Sequence, residues 1–437
     1  MATIIDPRDE ARYEVVKVSG LLDEPLRVIL DPGTAAQPSS IDSFGRLRVS
    51  TPLTLFDSSH RYRENGLWAT STASGGTTTF NANQGLVDLA VTTTSGSKVY
   101  RETTKVFSYQ PGKSLLVLST FVMSPAKTGL RQRVGYYGND NGMYLELNGT
   151  GANSLSFVER SIVTGTVTET RVSQSNWNLD PLDGTGISGM TLDVTKAQIL
   201  WMDIEWLGLG SVRLGFVIDG KFVACHVFQH ANVIASTYIT TASLPLRYEI
   251  ENTATTASSS TLKQICSSVL SEGGYELRGA QKAISTPITT PHVLTTAGTY
   301  YPVISIRLKA SPNRLDAIVI LTALSIMGIT NNANYNWQVI ASGTTTGGTW
   351  VSAGVDSAVE YNITGTSFAS GRILASGYTS ASNQARNTID ILKEALFKFQ
   401  LEREPFTSTP YELTLVSAAS SNGANIYASM DFEEISR

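Results

Sequence analysis

Asp203 and Glu205 are the residues of this chain whose type and spacing most invite chemistry. They stand two apart in an alternating run that reads as a strand, and a strand sets residues i and i+2 on one face. Two carboxylates on one face are what general acid and base catalysis requires. The same pattern arises wherever a sheet shows a polar face with solvated or hydrogen-bonded acids. Spacing alone does not separate the two.

His226 and His230 are the next pair with chemical promise. On a strand, four residues apart means the same face but roughly 13 Å of separation, too far for one metal ion. No third ligand is evident, so satisfied structural histidines are expected. The Asp180/Asp183 loop and the turn Gly138-Asn139-Asp140-Asn141-Gly142 are rich in oxygen, yet neither has the spacing of a calcium loop. Asn, Asp and Gly are the standard turn residues, and ordinary turns explain both. Trp177, Trp206, Trp337 and Trp350 could stack on sugars, although an indole mostly contributes buried area. The chain has no phosphate-binding loop, nucleophile elbow or zinc spacing, and no cofactor or metal is expected.

The elements that would position these residues are strands. Through Trp201 to Glu251, apolar residues alternate up one strand, turn through a glycine-rich corner and return through Val212, Leu214, Phe216 and Ile218. Asp219-Gly220 then predicts a hairpin, because a type I′ turn needs positive φ at both central residues. Apolar residues on both faces of Phe222 to Phe228 predict a strand buried on two sides. Strands are also expected at 98–109, 114–124, 132–137, 143–147 and 155–160, with Pro111-Gly112, Asn141-Gly142 and Asn148-Gly149 between them. A second series runs through 301–308, 317–326, 336–341, 350–352, 359–363 and 411–416. One helix-like stripe, Ile389, Leu392 and Leu396, lies in 387–399, where a strand over 396–401 competes.

The chain is therefore expected to be all-β, in four parts. Residues 1–50 read as an N-terminal attachment arm, 51–280 as a jelly-roll domain, 281–300 as a linker and 301–437 as a C-terminal β-sandwich. A length of 437 residues suits more than one core. Only 16% of residues are charged, 41% are hydrophobic and the net charge is −4, which gives no electrostatic reason to expect nucleic-acid binding. Cys225 and Cys266 do not make a disulfide scaffold, and Cys225, in an apolar strand, is expected as a buried thiol. The first residues lack the apolar core of a secretory signal, and no segment approaches the ~20 apolar residues that span a bilayer.

Several strings carry a resemblance. SFGRLRVSTPLTLFDS (Ser43 to Ser58), VGYYGNDNGMYLE (Val134 to Glu146), the long block Leu182 to Gly220, LPLRYEIEN (Leu244 to Asn252), PVISIRLKASPNR (Pro302 to Arg314) and Ser357 to Gly377 resemble virion structural proteins of tailed bacteriophages, marine and cyanobacterial ones in particular. The resemblance covers most of the chain. It implies a tail-fibre, baseplate or head-decoration component whose middle domain is similar to concanavalin A-like or laminin G-like jelly rolls. It further implies other virion proteins as partners, a homo-oligomer with a trimer favoured, and a virion location after synthesis in the host cytoplasm. Jelly-roll glycosidases carry three acids as Glu-x-Asp-x-Glu, but here the position of their nucleophile is Trp201. On that ground the chain is expected not to be an enzyme, and no catalytic residue is assigned. The alternative expectation is a module that binds a host surface glycan through Tyr136, Tyr137 and Trp177. Phe44, Arg46 and Arg48 are the expected assembly contacts.

Overall fold

The computed structural model describes residues 52–151, 153–276, 278–381, 388–391 and 399–436. The attachment arm and its contacts Phe44, Arg46 and Arg48 lie outside the described residues. Among those described the chain is all-β, with one short 3₁₀ turn at Gln174–Asn176 and no α-helix.

Two sheets enclose the first core. The eight-stranded sheet runs in the order Lys221–Phe228, Val212–Ile218, Gln198–Ile204, Ser114–Val122, Ser260–Glu272, Leu86–Val91 and Thr77–Asn81, with Leu53–Ser58 also paired to Ser260–Glu272. The facing seven-stranded sheet runs Thr168–Ser173, Leu155–Ser161, Gly142–Asn148, Leu130–Tyr137, Leu246–Asn252, Lys98–Thr103 and Trp68–Ala73. Alternate residues of each strand point between the sheets, so that Val134, Leu145, Phe157, Leu214, Phe216 and Ile250 form one apolar layer. Asp219 and Gly220 have φ of 49° and 74°, the two positive angles that the Asp-Gly hairpin demands.

The strand Lys221–Phe228 is an edge. Its exposed ladder is covered by the Trp177 loop: the N–H groups of Leu179 and Asp180 donate to Cys225 O, and Val227 N–H donates to Asn178 Oδ1. This is how a sheet edge is kept from pairing with another chain.

A second pair of sheets encloses the second core, built around Val303, Ile306, Leu321, Val339, Leu415 and Phe432. The stretch expected as a linker, 281–300, is corrected here. Ala280–Ser285 and His292–Leu294 are both strands paired to the C-terminal strand Ala424–Ser436, and Leu294 is fully buried. Its Pro and Thr content marks the turn between two edge strands. The helix-like stripe is corrected too: Thr388–Ile391 is a strand paired to Ile318–Gly328, while residues 392–398 lie outside the described residues. Val, Ile and Thr favour strands, and at four residues helical and strand periodicities are not distinguishable.

The two sandwiches meet through buried polar groups. Arg403 N–H donates to Thr104 O (2.9 Å), Gln400 Nε2 to Val106 O (2.9 Å) and Thr104 Oγ1 to Glu402 (3.0 Å). Val106 packs with Ile318 and Ile320 beside them.

Candidate functional site

A cleft of about 610 Å³ opens at this junction. Its first wall is the loop after Leu53–Ser58. Ser58 accepts from Trp68 Nε1 (2.8 Å), and His60 turns inward to accept Asn65 N–H on Nδ1 (3.2 Å). Asn65 in turn accepts Leu67 N–H (2.9 Å), and Glu64 lies 2.5 Å from the buried guanidinium of Arg101. With both ends pinned, the tip Arg61-Tyr62-Arg63 is left exposed, Tyr62 to 82%. The Arg61 guanidinium stands 5.1 Å from the centre of the Tyr62 ring. Burial, with the charge of Arg101 added, lowers the His60 imidazole to about 4 and keeps it neutral at physiological pH.

The opposite wall comes from the second sandwich. Arg372 and Leu374 line it, with Lys105 at the floor. Glu402 sits behind, 2.7 Å from Arg372 and 3.7 Å from Lys105. Arg61 and Arg63 make no ion pair among the described residues. Guanidinium donors beside an exposed phenol ring can hydrogen-bond ring hydroxyls and stack on a sugar face.

A second polar feature leads away from the junction along the outer face of the seven-stranded sheet. Strand register places Glu146, Arg133, Glu249 and Tyr100 in one cross-strand row, and Arg171, Val158, Tyr144, Gly135, Arg247 and Glu102 in the next. Arg133 lies 2.7 Å from Glu146 and 3.6 Å from Glu249, and Arg247 lies 2.6 Å from Glu249 and 3.1 Å from Glu102. Arg403 carries the ladder across to the second sandwich, 2.7 Å from both Glu102 and Asp316. Burial alone would raise the Glu169 carboxyl at the far edge. Hydrogen bonds from Arg160 and Tyr144 and the Arg133 charge overcome this and hold it near 2. Glu146 is lowered by Arg171 and Arg133 against the same burial. Carboxylates held this way stay ionised and cannot deliver a proton near neutral pH.

The glycan contacts expected from sequence are corrected by burial. Tyr136 is 1% exposed, with its hydroxyl 2.6 Å from Phe107 O and 2.7 Å from Ala242 O. Tyr137 is fully buried against Tyr144, ring centres 4.4 Å apart. Trp177 stacks on Phe157 at 4.3 Å and donates to Val172 O. None offers a face to solvent, because each side chain fills the sandwich or the ladder instead.

Asp203 is fully buried and bonded to Arg213 (2.5 Å) and Ser114, and Glu205 lies beyond the end of its strand. His226 accepts Asn178 N–H, and His230 lies between Gly210 O and Glu159 while stacked on Tyr238. Asp180 accepts the Leu182 and Ser188 N–H groups, a loop staple. Cys225 and Cys266 are free, and burial pushes the Cys225 thiol well above its usual range. Sequence reasoning missed Arg61, Tyr62, Arg63, Lys105 and Arg372. An Arg-Tyr-Arg tripeptide after a strand was the available signal, but its partner wall lies some 310 residues away.

No protein-family model matches the chain, and no curated protein matches it by sequence. Solved structures of similar fold include the carbohydrate recognition domain of Emp47p, 12% identical, covering 51% of this chain and 97% of that one with a TM-score of 0.32. A β-1,3-glucanase from Mycobacterium marinum is 7% identical over 50% of this chain and 98% of its own, TM-score 0.35. A glycoside hydrolase family protein from Mycobacterium thermorestibile is 9% identical over 49% and 99%, TM-score 0.34. These are likenesses of fold, to jelly-roll domains of glycan-related proteins. They correct one expectation: with glycoside hydrolases among the similar structures, a missing three-acid motif does not make the chain a non-enzyme.

Proposed function

We propose that the protein recognises saccharide in the cleft between its two sandwiches. One observation carries this reading: Tyr62, 82% exposed, stands on the lining of a cleft of about 610 Å³, between two arginines that have no carboxylate partner among the described residues. An exposed aromatic ring held beside fork donors is suited to a hydroxyl-rich ring. The similar folds agree with this reading without carrying it. A glycan array with the full chain and with Tyr62→Ala tests it. Binding by the first and at least about tenfold weaker binding by the second is expected, a loss of about 1.4 kcal/mol. Equal binding by both, or none by either, would refute it.

A second reading concerns where the recognition takes place. The phage-like strings, from Ser43 to Ser58 through Ser357 to Gly377, favour a virion structural component assembled with other virion proteins, as a homo-oligomer with a trimer favoured. The buried junction supports it, since an assembly subunit benefits from two domains held as one body. Mass spectrometry of purified particles would find the chain at a stoichiometric copy number. Its absence from particles would end this reading while leaving saccharide binding standing.

A further inference from the structure

We infer that the cleft selects acidic saccharides, whose carboxylate or sulfate ester groups are held by Arg61 and Arg63 on one wall and Arg372 on the other. This rests on the saccharide reading above and names the class of sugar. Among the described residues, the cations Arg61, Arg63 and Arg372, with the buried Lys105, line the cleft with one carboxylate, Asp57, and Glu402 stands behind Arg372. The described lining is thus positive on a chain whose net charge is −4. A neutral glycan would need no such excess, and its hydroxyls would leave the charges of Arg61 and Arg63 unpaired.

The chemistry of each cation supports the assignment. Arg372 and Lys105 share Glu402, which positions Arg372 through one of its guanidinium nitrogens, Nη2. Arg61 and Arg63, two residues apart on a loop pinned at both ends, are exposed and have no ion-pair partner among the described residues. A guanidinium matches a planar carboxylate or a sulfate through two parallel hydrogen bonds. The walls belong to different sandwiches, and the Arg403–Glu102 contact at 2.7 Å holds the two together before a ligand arrives. Preorganisation of this kind reduces the entropy lost on binding.

The test is titration calorimetry on the full chain with three oligosaccharides of equal length: a polyuronate, a sulfated galactan and a neutral glucan. Wild-type protein is compared with the double variant Arg61→Gln/Arg63→Gln, whose thermal midpoint should match wild type because both side chains are exposed. Expected is binding of one or both acidic ligands at least about tenfold tighter than the glucan, abolished or reduced about tenfold in the variant and weakened by salt. Response to the polyuronate alone assigns a carboxylate, and to the galactan alone a sulfate. Glucan binding as tight as the acidic ligands, unchanged in the variant, would overturn the acidic class and leave saccharide recognition intact. No binding of any ligand by folded protein would overturn both.

Discussion

Arg403 Nη2 lies 2.7 Å from Glu102 Oε1, and both side chains are buried where the two sandwiches meet. Arg403 also reaches Asp316 at 2.7 Å and Thr103 O at 3.0 Å, while Glu102 has Arg247 as a second partner. The contact ties the two sandwiches together and ends the charge ladder of the first.

Arg403→Ala should therefore destabilise strongly. Removing one partner of a buried ion pair costs about 3–5 kcal/mol, and the lower end is expected because Arg247 still faces Glu102 at 3.1 Å. Guanidinium denaturation would show the loss, and a change below about 1 kcal/mol would mean that the junction contributes little.

Acidification should weaken the fold in two stages. His60 and His226 are both lowered by burial from 6.5 to about 4, so the folded state resists a proton that the unfolded chain accepts. Their contribution is complete above pH 6.5 and is lost as pH falls through about 4. Glu169, lowered from 4.5 to about 2, adds a loss that begins below pH 4.5 and runs towards 2. Urea midpoints measured from pH 7.5 to 3 should fall steadily below 6.5. A midpoint that rises between pH 6.5 and 4.5 would contradict this.

Gly135 stands in the ladder between Tyr144 and Arg247, where a Cβ would come within 2.3 Å of Met143 O and 2.6 Å of Tyr144 Cα. Gly135→Ala should cost about 1–3 kcal/mol through overpacking against backbone that cannot move away cheaply. Thermal denaturation would register it, and an unchanged midpoint would mean that the sheet relaxes freely there.

Thiol labelling reads the first core directly. Cys225 is fully buried with a raised thiol, and Cys266, on the strand Ser260–Glu272, is half-buried. Cys266 should react with a maleimide first, and Cys225 only as the protein unfolds. Native Cys225 reacting as fast as the denatured chain would show the sandwich to be open.

Much of the fold was legible because strands announce themselves locally. Asp219-Gly220 marked its hairpin, and the expected strands at 114–124, 143–147 and 155–160 match Ser114–Val122, Gly142–Asn148 and Leu155–Ser161 closely. What failed was whatever depends on distant partners. Ala280–Ser285 is a strand because Ala424–Ser436, some 150 residues later, lies beside it. Tyr137 and Trp177 looked like surface aromatics because turns flank them, yet the ladder and Phe157 enclose them. Nothing in the sequence singles out Glu146 and Glu249 as a pair, since it is the strand register that sets Arg133 between them. The cleft is the extreme case, since Arg61 and Arg372 meet only after both sandwiches have formed.

A crystal structure with an acidic tetrasaccharide bound would show directly whether the cleft holds the sugar. The sugar should lie between Tyr62 and Arg372, its anionic group within hydrogen-bonding distance of Arg61 or Arg63. Sugar seated elsewhere, with that cleft empty, would contradict it.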